Sequence, residues 1–343
     1  MSQSSVPNPP TFMPTNIVTI GGWAGTFNVL YGIKRNLDYN ISAIISVADS
    51  GGTTGAVRDQ YGILPPGDMR RAIAALAKNT DMVRKLFEYK FDEDGVIGGN
   101  KIGNILLTAL TDITGDFESA IDTLSEMFDV RGRVIPVTTE DINLAVRFDD
   151  GTEVIGEKNI DISDKNPGER THNIDQNITD AWLVGDEGNL NPRAREALMN
   201  ADYIIIGPGD LFTSIVPNLL CKWMQEALYA SQAKIIYICN AMTKRWETTN
   251  MEVIDFIDTI EKYIHPGMLD YVIVNNGHIS DEVVIKYKTE ENKRPLKVKD
   301  YSLFLGKWYK IIERDIVNDA DYVRHNPLKL ARILEDIVGG WIK

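Results

Sequence analysis

The strongest constraint on the fold lies near the start of the chain, in the stretch Asn16 to Gly55, NIVTIGGWAGTFNVLYGIKRNLDYNISAIISVADSGGTTG. Ile17-Val18-Thr19-Ile20 is a short apolar run, followed by a glycine pair and an amphipathic segment. A second apolar run, Ile41 to Ala48, ends on Asp49-Ser50-Gly51-Gly52. Strand, glycine turn, helix, strand and loop in that order predict the first βαβ unit of a nucleotide-binding sheet. Gly21, Gly22 and Gly25 let backbone N–H groups approach a phosphate at a helix N-terminus, where the dipole favours negative charge. The loop after the second strand, with Gly51, Gly52, Thr53 and Thr54, opens on the same crevice, because ligands of open α/β sheets gather beyond the carboxyl ends of the strands.

Further along, YGILPPGD launches a helix that carries Arg70 and Arg71 in its first turn, with Asp68 placed as its cap. Cations are unfavourable there on dipole grounds, so Arg70 reads either as a surface arginine or as a ligand for the anion that the glycine loops await. Asn100, Lys101 and Asn104 stand in a glycine-rich turn at the start of an apolar helix, again suited to an anion or a base edge. The short runs Arg133–Val137, Asn143–Phe148 and Thr152–Gly156, with an Asp149-Asp150-Gly151 hairpin signal, predict a small antiparallel excursion over about residues 131–157. The βα rhythm then resumes, with a run at Ala181–Val184 and a buried parallel-type strand at Tyr203–Ile206. That strand ends on Gly207, Gly209, Thr213 and Ser214, and the next ends on Asn240 and Thr243, small polar residues where the crevice should be.

The reading is an α/β, Rossmann-like three-layer sandwich with a mostly parallel sheet. Residues 1–15, rich in Ser and Pro, form a disordered lead-in, and residues 16–343 form a single domain. A net charge of −13 argues against a non-specific nucleic-acid partner, yet allows a locally positive pocket for a small anion. No apolar run reaches the roughly 18 residues of a membrane span, and no signal peptide precedes the first strand. Cys221 and Cys239 lack metal or disulfide spacing, so a cytoplasmic location is expected.

The blocks NIVTIGG, VADSGGTTG, GILPPGD, ITGDF, VRGRVIPV, IIIGPGDLFTSIVPNLL, YICNAMT and VRHNPLKLARIL together resemble the gluconeogenesis factor family. That family shares its fold with 2-phospho-L-lactate transferase. The resemblance implies a nucleotide-diphosphate site at the strand ends, with Arg324 reaching into it. In the regulator branch the ligand is a UDP-sugar, and the role is support of cell shape and wall synthesis on gluconeogenic carbon. In the transferase branch a phospholactyl group moves from a guanosine diphosphate donor to a deazaflavin alcohol with Mg²⁺, and Asp49 becomes the metal ligand and sole catalytic candidate.

This chain departs from the family pattern at several positions. Trp23 and Ala24 interrupt the first loop, Ser50 replaces the second acid of an acid pair, and Asp210 stands where relatives often carry serine. Trp23 reads either as a stacking group or as a packed structural residue. Thr26 is the nearest hydroxyl to replace the lost threonine. Asp210 is expected to point outward or to supply a metal ligand. The thinned acid pair favours the UDP-sugar regulator over the transferase. A homodimer is the candidate assembly.

Overall fold

A computed structural model describes residues 14–51, 62–91, 99–161, 172–173, 175–318 and 322–342. Residues 1–13 of the lead-in expected to be disordered, Gly52, Thr53, Thr54 and the side chain of Trp23 lie outside the described residues, while Thr15, placed in that lead-in, begins the first strand.

The opening stretch forms β1 (Thr15–Gly21), α1 (Trp23–Ile33) and β2 (Tyr39–Ile45). Helices α2 (Pro66–Leu76), α3 (Thr80–Glu88), α4 (Ile102–Thr114) and α5 (Phe117–Met127) lead to the edge strand β3 (Arg133–Pro136). The chain then leaves the sheet through β4 (Ile142–Phe148), β5 (Glu153–Ile155), the single turn α6 (Glu157–Ile160) and β6 (Ile178–Gly185). It returns through α7 (Pro192–Met199), β7 (Tyr203–Ile206), α8 (Val216–Leu219), α9 (Met224–Ala230), β8 (Lys234–Ile238), α10 (Val253–Ile264), β9 (Tyr271–Asn275), α11 (Asp281–Glu291) and β10 (Lys310–Arg314). A two-residue pair, β11 (Val317–Asn318) with β12 (Arg324–His325), precedes the last helix, α12 (Pro327–Val338).

Seven parallel strands make the main sheet in the order β10-β9-β8-β7-β1-β2-β3. Helices cover it, so the central strands are buried throughout and read as continuous apolar runs: Ile17, Val18, Ile20, Ile204, Ile205, Ile206 and Ile235–Ile238. The strand order reverses between β1 and β7, where Ile20 pairs with Ile206. Helix α1 packs on both α2 and α12, and α7, α9 and α10 form a second helical group.

Two expectations need correction. Residues 133–136 pair parallel with β2 as the edge of the main sheet, so they are not part of the antiparallel element. Residues 181–184 belong to β6, which pairs antiparallel with β4, so the excursion is a three-stranded ribbon, β5-β4-β6, running on to residue 185. An apolar edge strand and a ribbon strand have the same short alternating signature, and only the partner distinguishes them. The inner faces of sheet and ribbon feed one apolar cluster, with Leu144, Val146 and Phe148 contributed by β4.

Among the described residues no helix is long and apolar enough to cross a membrane.

Candidate functional site

At the reversal point the loops after β1 and β7 meet backbone to backbone. A Cβ on Gly25 would collide with the Pro208 carbonyl oxygen, so the first turn of α1 lies directly on the 207–209 loop only because it carries glycine there. Gly207 itself is left-handed at φ +72°, and its peptide bond to Pro208 is cis. Asn218 braces the arrangement by donating from Nδ2 to the Ser214 carbonyl at 2.8 Å.

A cavity of about 410 Å³ opens over this junction, lined by Ala24 and Gly25 of α1, residues 208–210 and 240–244, and Arg324, with Tyr287 and Tyr322 on its rim. Asn240 donates from Nδ2 to the Gly209 carbonyl at 2.8 Å, while its Oδ1 is buried with no hydrogen-bond partner. The Thr26 hydroxyl beside Gly21 is likewise buried and unpartnered. Buried acceptors without donors are costly, so the Asn240 oxygen beside the cavity is suited to an incoming N–H.

Carboxylates flank the other side of the first loop. A Cβ on Gly22 would lie 2.5 Å from Asp68 Oδ2, so Asp68 sits against the start of α1 as well as inside the first turn of α2, rather than at its cap. Arg71 holds Asp68 at 2.7 Å. Asp49, at the end of the loop after β2, accepts from the Gly51 amide at 2.9 Å and is pushed up to about 6 by burial and by the charge of Asp68. Glu157, delivered by the ribbon, faces it across Gly51. Its Oε2 is buried without a partner, and burial together with the charges of Asp49 and Asp161 pushes it up to about 8. Ser50 accepts from the Lys158 amide at 3.0 Å and ties the ribbon to the sheet.

A second ionic knot closes the cavity floor. Lys244 Nζ lies 2.7 Å from Asp210, 3.1 Å from Asp161 and 3.1 Å from Glu247. Burial opposes its charge, but these three carboxylates raise its proton affinity well above the ordinary lysine value. Asp210 therefore neither points outward nor stands free as a metal ligand. Thr213 donates its hydroxyl to Glu247 at 2.7 Å, which orients that side chain inward. The Trp246 Nε1–H completes the knot by donating to Asp161 at 2.8 Å.

Of the expected residues Gly25, Gly209, Asn240, Thr243 and Arg324 line the crevice; Gly21 packs against Gly207 and Gly22 against Ser214 at the junction behind it, and Asp49 and Gly51 belong to the separate carboxylate cluster with Glu157. The Thr243 hydroxyl accepts from the Arg294 amide at 3.0 Å, so its side chain secures the wall. Asn104 and Lys101 lie elsewhere: Arg70 Nε donates to Asn104 at 2.8 Å, and Arg70 and Lys101 converge on Glu88. Burial favours neutral Glu88, but the hydrogen bonds from Lys101 and Arg70 pull it down to about 2. Asn100 contributes its carbonyl to the Phe91 amide on the same turn. His325, pushed down to about 4 by burial, donates from Nε2 to the Cys239 carbonyl at 3.2 Å and fastens the C-terminal segment to the sheet.

Sequence reasoning missed Asp68, Arg71, Glu157, Asp161, Lys244 and Glu247. Each resembles a surface charge in sequence, and only Asp68, next to two prolines and a glycine loop, carried a local signal.

The fold and its crevice define a doubly wound α/β protein with a glycine-lined crevice at the switch point. The chain belongs to the family described as 2-phospho-L-lactate transferase CofD, which matches residues 17–317. It is 38% identical over 327 residues to the "Putative gluconeogenesis factor" of Aquifex aeolicus, covering 94% of this chain and 96% of that one. It is 34% identical over 323 residues to the gluconeogenesis factor of Bacillus subtilis, covering 94% and 98%. A crystal structure of a UPF0052 family member from Bacillus halodurans superposes with a TM-score of 0.84 at 34% identity, covering 93% of this chain and 98% of that one.

Proposed function

We propose that the chain binds a nucleoside diphosphate sugar, a UDP-sugar foremost, and acts as a regulator of the gluconeogenesis-factor type that supports cell shape and wall synthesis on gluconeogenic carbon. The supporting observation is the 410 Å³ crevice at the switch point, where the α1 N-terminus and the 207–209 loop face Asn240 Oδ1, an acceptor lacking a donor. The diphosphate takes the helix N-terminus, with Arg324 offsetting its charge. Asn240 takes a ring N–H of the base, and Tyr287 or Tyr322 offers a face for stacking.

The Mg²⁺ of the transferase branch suits the carboxylates present. Asp49 and Glu157 are hard oxygen donors, Glu157 Oε2 is buried and unpartnered, and burial raises both, with the charge of Asp68 adding at Asp49 and those of Asp49 and Asp161 at Glu157. They would hold the ion, which would supply charge neutralisation at the diphosphate, as a site with one or two carboxylates plus phosphate oxygens does. Among the described residues no three His, Cys, Asp or Glu side chains converge as a complete ligand set. The Asp49–Glu157 pair is the observation that favours the second reading, metal-dependent phospholactyl transfer from a guanosine diphosphate donor to a deazaflavin alcohol.

Calorimetric titration with UDP-N-acetylglucosamine and with GDP, each with and without Mg²⁺, separates the two. Tight UDP-sugar binding that ignores Mg²⁺ supports the regulator. Preference for the guanine nucleotide that requires Mg²⁺ overturns it. The cytoplasm is the proposed location and a homodimer the proposed assembly, the latter measurable by light scattering.

A further inference from the structure

A second cavity, of about 240 Å³, opens beside the crevice between α1, α2 and α3. It shares Ala24, Asn28 and Arg324 with the crevice, so the two are joined around one turn of α1. Its walls carry Arg70, Arg71, Arg84 and Arg324 against a single carboxylate, Glu88, in a chain whose net charge is −13.

These arginines are not equivalent. Arg70 is spoken for by Glu88 and Asn104, and Arg71 by Asp68. Glu88, held ionised by Arg70 and Lys101, has no capacity to neutralise more. Arg84 and Arg324 have no ion-pair partner among the described residues. The Arg84 guanidinium rests 5.2 Å from the centre of the Phe27 ring, and that of Arg324 lies 5.7 Å from the centre of the Tyr322 ring. Stacking on an aromatic face fixes a guanidinium plane while leaving its edge N–H groups for an acceptor. Phe27, Phe87 and Ala74 supply apolar wall, which strengthens a charge–charge contact by excluding water.

From this we infer that the ligand bears a second acidic group, a carboxylate or a phosphate beyond its diphosphate, and that Arg84 holds it in this pocket, Arg324 standing between it and the diphosphate. The inference rests on the nucleotide reading above and narrows it: the pocket joins the crevice around one turn of α1 and has room for an acidic substituent of a ligand seated there. Neutral UDP-sugars would then occupy the crevice while leaving the Arg84 guanidinium unmatched.

The test compares UDP-glucuronate with UDP-glucose, which differ by the C6 carboxylate, on the full chain and on Arg84→Gln. A second arm follows thermal stabilisation by inorganic phosphate in both proteins. Arg84 is exposed and lies outside the diphosphate crevice, so the variant should fold and bind UDP-glucose as the parent does. The expected result is that UDP-glucuronate binds on the order of tenfold tighter than UDP-glucose, the effect of one charge-assisted hydrogen bond, and that Arg84→Gln removes the difference. A response to phosphate alone that Arg84→Gln abolishes supports the pocket and identifies phosphate as its group. The inference is overturned if neither the uronate preference nor the phosphate response depends on Arg84. Failure of both UDP-sugars to bind defeats the nucleotide reading separately, and the phosphate arm then decides the pocket alone.

Discussion

Replacing Glu157 by Gln should stabilise the protein, and by an amount that grows with pH. In the folded chain the Glu157 carboxyl is pushed from an ordinary 4.5 up to about 8, so folding favours its protonated form. A group with a raised folded pKa contributes stability that is complete below its unfolded pKa and is lost as pH climbs through the folded value. For Glu157 that window runs from about 4.5 to about 8. Linkage sets a ceiling of ~5 kcal/mol on the loss at pH 9. Burial is the larger cause, the repulsion is shared with Asp49, and water relieves some of both, so about 2 kcal/mol is the working expectation. Gln is neutral in both states and escapes the loss altogether. Urea unfolding of parent and variant at pH 5, 7 and 9 should show near-equal stability at pH 5 and a growing advantage for Glu157→Gln above it. An advantage that does not change with pH, or a variant less stable at pH 9, would refute the carboxylate repulsion inferred for this loop. Mg²⁺ at pH 8 should stabilise the parent more than the variant if Asp49 and Glu157 take up the cation.

Three further substitutions probe the crevice. Gly25→Ala drives a Cβ into the Pro208 carbonyl, which has no rotamer to yield, so unfolding free energy should fall by about 1–3 kcal/mol and nucleotide affinity should fall with it. Lys244→Met leaves Asp161, Asp210 and Glu247 facing one another without their cation. A loss of about 3–5 kcal/mol is expected at pH 8. Glu247, already pushed up to about 6, takes a proton on acidification, so urea midpoints measured towards pH 5 should recover part of it. Arg324→Ala removes an exposed side chain, so the unfolding midpoint should hold while calorimetry shows UDP-sugar binding weakened by about 1.5–3 kcal/mol.

The fold was legible in the sequence where periodicity and punctuation agreed. Residues 16–21, 41–45 and 203–206 are apolar runs stopped by glycine, and they became the three strands around the switch point. Legibility failed where a short run had to choose a partner. Residues 133–136 joined the parallel sheet because the preceding helices return the chain to the free side of β2, a decision made by packing and invisible in four residues. The site divides the same way. Its glycines and Asn240 could be read from strand ends, whereas Lys244, Glu247 and Asp161 look like solvated charges until the chain is folded and they meet. Lys101 erred in the opposite direction: a lysine in a glycine-rich turn suggests an anion, but the nearest anion turned out to be Glu88.

The ribbon segment supplies Asp161 to a crevice whose backbone belongs to the parallel sheet, and Glu157 to the neighbouring Asp49 loop. Scaffold and electrostatics are thereby held by different segments. Substitution in the turn after β5 can alter how many negative charges an incoming diphosphate meets without touching the glycines that shape the cleft. Hydrogen exchange that is faster in β4, β5 and β6 than in β1 and β7 would show that those two carboxylates can be withdrawn while the cleft keeps its outline.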